Sequence, residues 1–128
     1  MREILFRGKS LKDNEWTEGY YCRYGWTGKE KDYIIPDYAS ALYGVEVESN
    51  TLGQFTGLTD KNGVKIFEGD IVRYGDTIHK VVFEQRNGTA YFGLVYSPIE
   101  TLPFGHYQDL RQLEVIGNIY DNPELIGG

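Results

Sequence analysis

The sequence predicts a mainly β protein folded as one domain, and three observations carry that prediction. Its 128 residues lie near the commonest size of a single domain. Sixteen glycines and a 15% aromatic content accompany Val and Ile in short alternating runs, the residue types that suit a pleated surface joined by tight turns. Sustained helical periodicity is absent. Residues 1–128 are accordingly read as one domain.

In chain order, Ile4 and Phe6 alternate with Leu5 and Arg7 in a first strand ending near Gly8. From Tyr20 to Trp26 the alternation puts Tyr20, Cys22, Tyr24 and Trp26 on one face and Tyr21, Arg23 and Gly25 on the other. Asp32–Pro36 reads as a brief strand that the proline confines to an edge or a strand end, since proline cannot donate to a ladder. Val45 and Val47 make another short strand. Asp60-Lys61-Asn62-Gly63 has the chemistry of a type I turn closed by a left-handed glycine. Beyond it, Val64 and Ile66 are expected to face one way and Lys65 and Phe67 the other. Phe67-Glu68-Gly69-Asp70 puts glycine third, where a type II turn requires positive φ.

The clearest hairpin joins HKVVFEQ to TAYFGLVYS through Arg86-Asn87-Gly88, whose last two residues tolerate positive φ. Ser97–Gln112 carries two prolines and no steady period, so it reads as a long loop or lid with room for one helical turn. A strand then runs through EVIGNIY, and DNPELI follows as one helical turn with Asn122 as N-cap and Pro123 first inside.

Thirteen basic and nineteen acidic side chains give a formal charge of −6, which as a whole repels nucleic acid phosphate and anionic membrane. Residues 1–35 hold seven Lys/Arg against six Asp/Glu, and the remainder six against thirteen, so the N-terminal part is near +1 and the rest near −7. A single cysteine, Cys22, excludes an intramolecular disulfide and a multi-cysteine zinc site, and fits the reducing cytoplasm. No signal peptide and no run of about 18 apolar residues is found.

Asp60–Ile71 fails as a calcium loop, because Lys65 stands where the glycine is obligatory and Ile71 where the bidentate glutamate belongs. No phosphate-cradling P-loop motif occurs. With two histidines and one cysteine, no metal and no other cofactor is expected. His79 is expected to face solvent at a strand entry, whereas His106, in the proposed loop, is a candidate contact. Glu68 and Asp70 read as turn carboxylates accepting backbone N–H bonds in preference to an acid–base pair. Cys22 reads as a small buried hydrophobe. No catalytic constellation emerges, so a non-enzyme is expected.

Gln54-Phe55-Thr56-Gly57-Leu58, Asp60-Lys61-Asn62-Gly63, Glu68-Gly69-Asp70-Ile71-Val72 and Ile116-Gly117-Asn118-Ile119-Tyr120, followed by Asn122-Pro123-Glu124-Leu125, resemble the hallmarks of the YopX family of bacteriophage and prophage proteins. The resemblance spans nearly the whole chain. It implies a small, SH3-like, partly open β-barrel with extra strands and a short C-terminal helical turn. It supplies no activity, catalytic residue or cofactor, so the motif positions Gln54, Phe55, Thr56, Gly57, Asp60, Asn62, Gly63, Gly69, Asp70, Gly117, Asn118 and Pro123 are read as structural.

The contested residues are Tyr20, Tyr21, Arg23, Tyr24 and Trp26. A core face or a self-associating homo-oligomer explains them first, and capture of a partner second. The leading functional expectation is a non-enzymatic accessory protein of the host cytoplasm that binds a host or phage protein through aromatic and loop surfaces. Nucleic acid binding by an SH3-like barrel is the alternative, and an enzyme acting on a small metabolite is ranked last.

Overall fold

A computed structural model describes residues 4–36, 44–86, 88–98, 100–104 and 110–127. The chain divides into two compact units, residues 1–55 and 56–128. Every pairing with a defined register is antiparallel, and the described residues contain strands and short 3-10 turns but no α-helix.

The first unit holds β1 (Phe6–Lys9), β2 (Trp16–Tyr24), β3 (Lys31–Ile35) and β4 (Val45–Glu46), in the order β4-β3-β2-β1, with the start of β5 (Gly53–Thr59) on the free side of β1. Strand β2 begins four residues before the predicted Tyr20. The turn that releases it hides in polar sequence: Asn14 takes φ +61°, the Asp13 carboxylate accepts the Glu15 N–H, and the Ser10 N–H donates to Glu15 O at 2.9 Å. Gly19 sits mid-strand because a Cβ there would meet the Ile35 carbonyl oxygen at 2.2 Å. Leu5, Ile34, Val47 and Phe55 are buried. Thr51, in a 3-10 turn (Ser49–Thr51), ties the unit together by accepting the Lys9 N–H and donating to Glu48 O.

The second unit contains the end of β5, then β6 (Lys65–Phe67), β7 (Asp70–Tyr74), β8 (Thr77–Arg86), β9 (Thr89–Ser97), β10 (Glu100–Pro103) and β11 (Leu113–Asn118). Five strands form a sheet ordered β10-β9-β8-β7-β11 whose outer strands do not pair with each other, so it stays open among the described residues. The β8–β9 hairpin forms where predicted, except that Arg86, expected in the loop, ends β8 and pairs with Thr89; Gly88 has φ +81°. Ile66, Val72, Val81, Leu94 and Leu113 form the core, with Leu58, Tyr74, Phe104 and Val115 packed against it. Each such side chain contributes roughly 1.5–3 kcal/mol by leaving water.

Three local expectations are corrected. Ile66 and Phe67 are both buried and Val64 is exposed, so β6 does not alternate; a three-residue strand covered on both faces has no solvent side to mark its period. Ser97–Gln112 is not one long loop, because Glu100–Pro103 pairs with β9 from Glu100↔Ser97 to Pro103↔Gly93; the one helical turn expected there is the 3-10 turn Leu110–Gln112. Pro103 is tolerated at the strand's last position, where no further ladder bond is asked of it. The terminal turn is a 3-10 helix, Pro123–Ile126, with the proline in its first turn, but Asn122 makes no side-chain cap. Its Oδ1 accepts the Asn118 N–H instead, at 3.2 Å.

Candidate functional site

The motif residues from Thr56 onward lie in the second unit, while Gln54 and Phe55 belong to the first, and the geometry of those in the second unit is architectural. The Asp60 carboxylate is buried and accepts three backbone N–H groups: Asn62 at 2.8 Å and Val64 at 2.9 Å on Oδ1, and Val115 at 2.9 Å on Oδ2. Burial alone would raise its pKa. The N–H donors, Val115 first, together with the Lys61 charge, outweigh burial and hold it below the usual carboxylate value. Gly63, at φ +80°, closes the turn. The same turn covers the outer side of β11, since the Lys61 N–H donates to Leu113 O at 2.9 Å.

Thr56 donates to Ile66 O at 2.8 Å, joining β5 to β6. Asp70, also buried, accepts the Phe67 N–H at 2.7 Å across the turn whose Gly69 has φ +93°; the Tyr120 ring lies 3.1 Å from where a Gly69 Cβ would stand. Asn118 folds back on the following turn, its Oδ1 accepting the N–H groups of Tyr120 and Asp121. Gly117 is required because a Cβ would meet Asn122 Oδ1 at 2.6 Å. His79 is buried, correcting the solvent-facing expectation: β8 is flanked by β7 and β9, and the ring bonds Thr77 Oγ1 and Val95 O while packing on Tyr96.

The β2–β3 hairpin of the first unit is different. Register pairs Tyr20 with Ile35, Cys22 with Tyr33 and Tyr24 with Lys31, so these six share one face. Tyr20, Tyr24 and Trp26 are 55%, 73% and 84% exposed, which removes the core reading for them within this chain. Cys22 is half-buried, not the enclosed hydrophobe expected. Trp16 and Glu18 continue the same face toward β1, where the Arg7 guanidinium lies 4.6 Å and the Lys9 ammonium 5.5 Å from the Trp16 ring centre.

On the opposite face Tyr21 and Arg23 converge on Asp32, which is buried beneath them. Asp32 Oδ1 accepts from the Tyr21 hydroxyl and from Arg23 Nη1 at 3.0 Å. The hydrogen bond to Asp32, more than partial burial, raises the Tyr21 pKa, so the phenol stays protonated and acts as a clamp. The Phe6 ring packs on Tyr21 at 5.4 Å. Sequence reading missed Asp32 and Trp16; continuing the alternation backwards from Tyr20 and across to the next strand would have found both.

His106 lies outside the described residues. Among those described, no three His, Cys, Asp or Glu side chains gather in a way that would hold a metal ion. No helix among them is long and apolar enough to cross a membrane.

A protein-family model described as YopX protein matches residues 5–127. Among solved structures, the crystal structure of protein EF1440 from Enterococcus faecalis is similar, with 23% identity and a TM-score of 0.49 over 98% of this chain and 99% of that one. No curated protein matches.

Proposed function

The chain belongs to the YopX family, and from that premise we propose that it is a non-enzymatic phage or prophage accessory protein of the host cytoplasm whose β2–β3 hairpin captures a partner protein. The observation that carries the proposal is the exposure of Tyr20, Tyr24 and Trp26 along one hairpin. Exposed Tyr and Trp are the side chains on which protein interfaces concentrate their binding energy. A protein occupant is favoured over nucleic acid because two of the nearby cations face carboxylates, Arg23 pairing with Asp32 and Lys31 lying 3.9 Å from Glu46. The formal charge of −6 points the same way. Homo-oligomers formed through the same face are a special case of this reading. The second unit we read as SH3-like and partly open, on the support of its open five-stranded sheet and its glycine turn at Gly69.

The test is capture from host lysate by the wild type and by a Tyr24→Ser, Trp26→Ser double variant, with and without nuclease. Both side chains are exposed, so the variant keeps the fold. The expected result is a nuclease-resistant protein recovered by the wild type and weakened by about 30-fold or more in the variant, the loss of one strong hot spot. Equal recovery by both forms refutes the proposal, and recovery abolished by nuclease transfers the role to nucleic acid binding.

A further inference from the structure

The turn that begins at Asp60 carries a chemically reactive pair. Asn62 is exposed and precedes Gly63, and glycine, with no Cβ, lets its backbone nitrogen come close to a group that other residues would keep away. In such a pair the Gly63 nitrogen gives up its proton to solvent base and attacks Asn62 Cγ. A bond forms between that nitrogen and Cγ, the bond from Cγ to the side-chain nitrogen breaks, and ammonia leaves, taking a proton back from solvent. The five-membered imide that results takes up one water. Opening at Cγ gives aspartate at position 62. Opening at the main-chain carbonyl gives isoaspartate, in which the chain runs through the side chain and is one carbon longer. The sum is amide plus water to acid plus ammonia, with no oxidant or reductant.

The fold withholds the nucleophile. Three consecutive N–H groups are held by one residue: Asn62 donates to Asp60 Oδ1 at 2.8 Å, Gly63 to Asp60 O at 3.0 Å and Val64 to Asp60 Oδ1 at 2.9 Å. The middle one is the attacking group. While its proton points at the Asp60 carbonyl it is shielded from base, and the bonds on either side stop the peptide from swinging toward Cγ. The restraint extends beyond the turn, since Asp60 Oδ2 also accepts the Val115 N–H and the Lys61 N–H donates to Leu113 O, both at 2.9 Å.

We propose that Asn62 is a modification site whose amide is lost only when this turn opens, and whose isoaspartyl product prevents the turn from closing again. The extra main-chain carbon between residues 62 and 63 displaces the Gly63 and Val64 N–H groups, so Asp60 cannot hold both. The Val115 N–H then loses the fixed carboxylate that meets it, and the change passes to β11, the outermost strand of its sheet. Surface turns open at a small fraction of the cost of global unfolding. Here water alone converts such a brief opening into a permanent one. The site lies wholly in residues 56–128 and is independent of the aromatic hairpin.

The test is a peptide map of the wild-type protein incubated at mildly alkaline pH, native and in urea, with amide hydrogen exchange at Gly63 followed on the native protein under the same conditions. Asn87-Gly88 is a second Asn-Gly pair that also follows a basic residue, and in urea it serves as the reference for Asn62. The two pairs should convert at comparable rates in urea. In the native protein Asn62 should be slowed at least about tenfold, by the same factor within about threefold as the Gly63 amide is protected from exchange. Asp60→Asn, which weakens the bonds on either side of the reacting peptide, should speed native conversion by about tenfold or more. In the isoaspartyl form, separated by chromatography, the Val115 amide should exchange at least about tenfold faster than in the unmodified protein. Native conversion as fast as in urea, a slowing that does not match the Gly63 protection, an Asp60→Asn rate no higher than wild type, or unchanged Val115 exchange in the isoaspartyl form overturns the proposal. The comparison with Gly63 exchange uses the wild type alone, so it decides the matter even where Asp60→Asn fails to fold.

Discussion

Replacing Asp60 by Asn should cost the second unit about 2–4 kcal/mol, a large share of the roughly 5–15 kcal/mol that holds a domain of this size together. The figure follows from what the carboxylate holds. It accepts three N–H groups, and a hydrogen bond to a charged acceptor is worth about 1.5–3 kcal/mol. The full sum does not apply, because Asn62 and Val64 are exposed and water can replace their acceptor, while Val115 is half-buried. Asparagine keeps one oxygen and turns an N–H₂ toward the remaining donor. A urea melt measures the loss. Its acid limb supplies an independent check. The Asp60 pKa is depressed in the folded state, so its contribution is fully present above the unfolded value near 3.9 and fades as pH falls through the folded value. The gap between wild type and Asp60→Asn should therefore be widest near neutrality and shrink in acid. A loss below about 0.5 kcal/mol, or a gap that does not change with pH, would refute the role assigned to Asp60.

Two further outcomes test other positions. Gly69→Ala places a side chain at φ +93° with its Cβ 3.1 Å from the Tyr120 ring, and should destabilise by about 1–3 kcal/mol in the same melt; a change within about 0.5 kcal/mol would mean the turn relaxes freely. Asp32→Asn removes the acceptor charge that raises the Tyr21 pKa. The Tyr21 ring carbon signal, followed by NMR on labelled tyrosine, should titrate at lower pH in the variant than in the wild type, and an unmoved or higher midpoint would contradict the clamp.

Turns were the most legible part of the sequence, because Asp60-Lys61-Asn62-Gly63 and Phe67-Glu68-Gly69-Asp70 must satisfy φ and hydrogen-bond demands that few residue types meet. Strands buried on both sides were harder. Ile66 and Phe67 carry no period, and His79 looks polar in sequence although strands on either side and the carbonyl of Val95 enclose it. The strand Glu100–Pro103 was hidden by Pro98 just before it and by Pro103 at its own end, which signal a break without saying that a pairing reaches the second of them. At the hairpin, sequence found the aromatic residues but not their exposure, since alternation describes which residues share a face and not whether that face is covered. The Asp60–Gly63 turn was legible, but its bonds to Val115 and Leu113, which cover the outer side of β11, left no local signal at all.

That turn has a bearing on how the protein is made. Asp60 and Lys61 find their partners Val115 and Leu113 more than fifty residues later, so a nascent chain offers β7, with Ile71 and Val72, as an uncovered sheet edge until β11 has left the ribosome. An unpaired apolar edge is a template for other chains. The sheet of the second unit is therefore complete only once β11, more than fifty residues after the turn at Asp60, is in place beside β7.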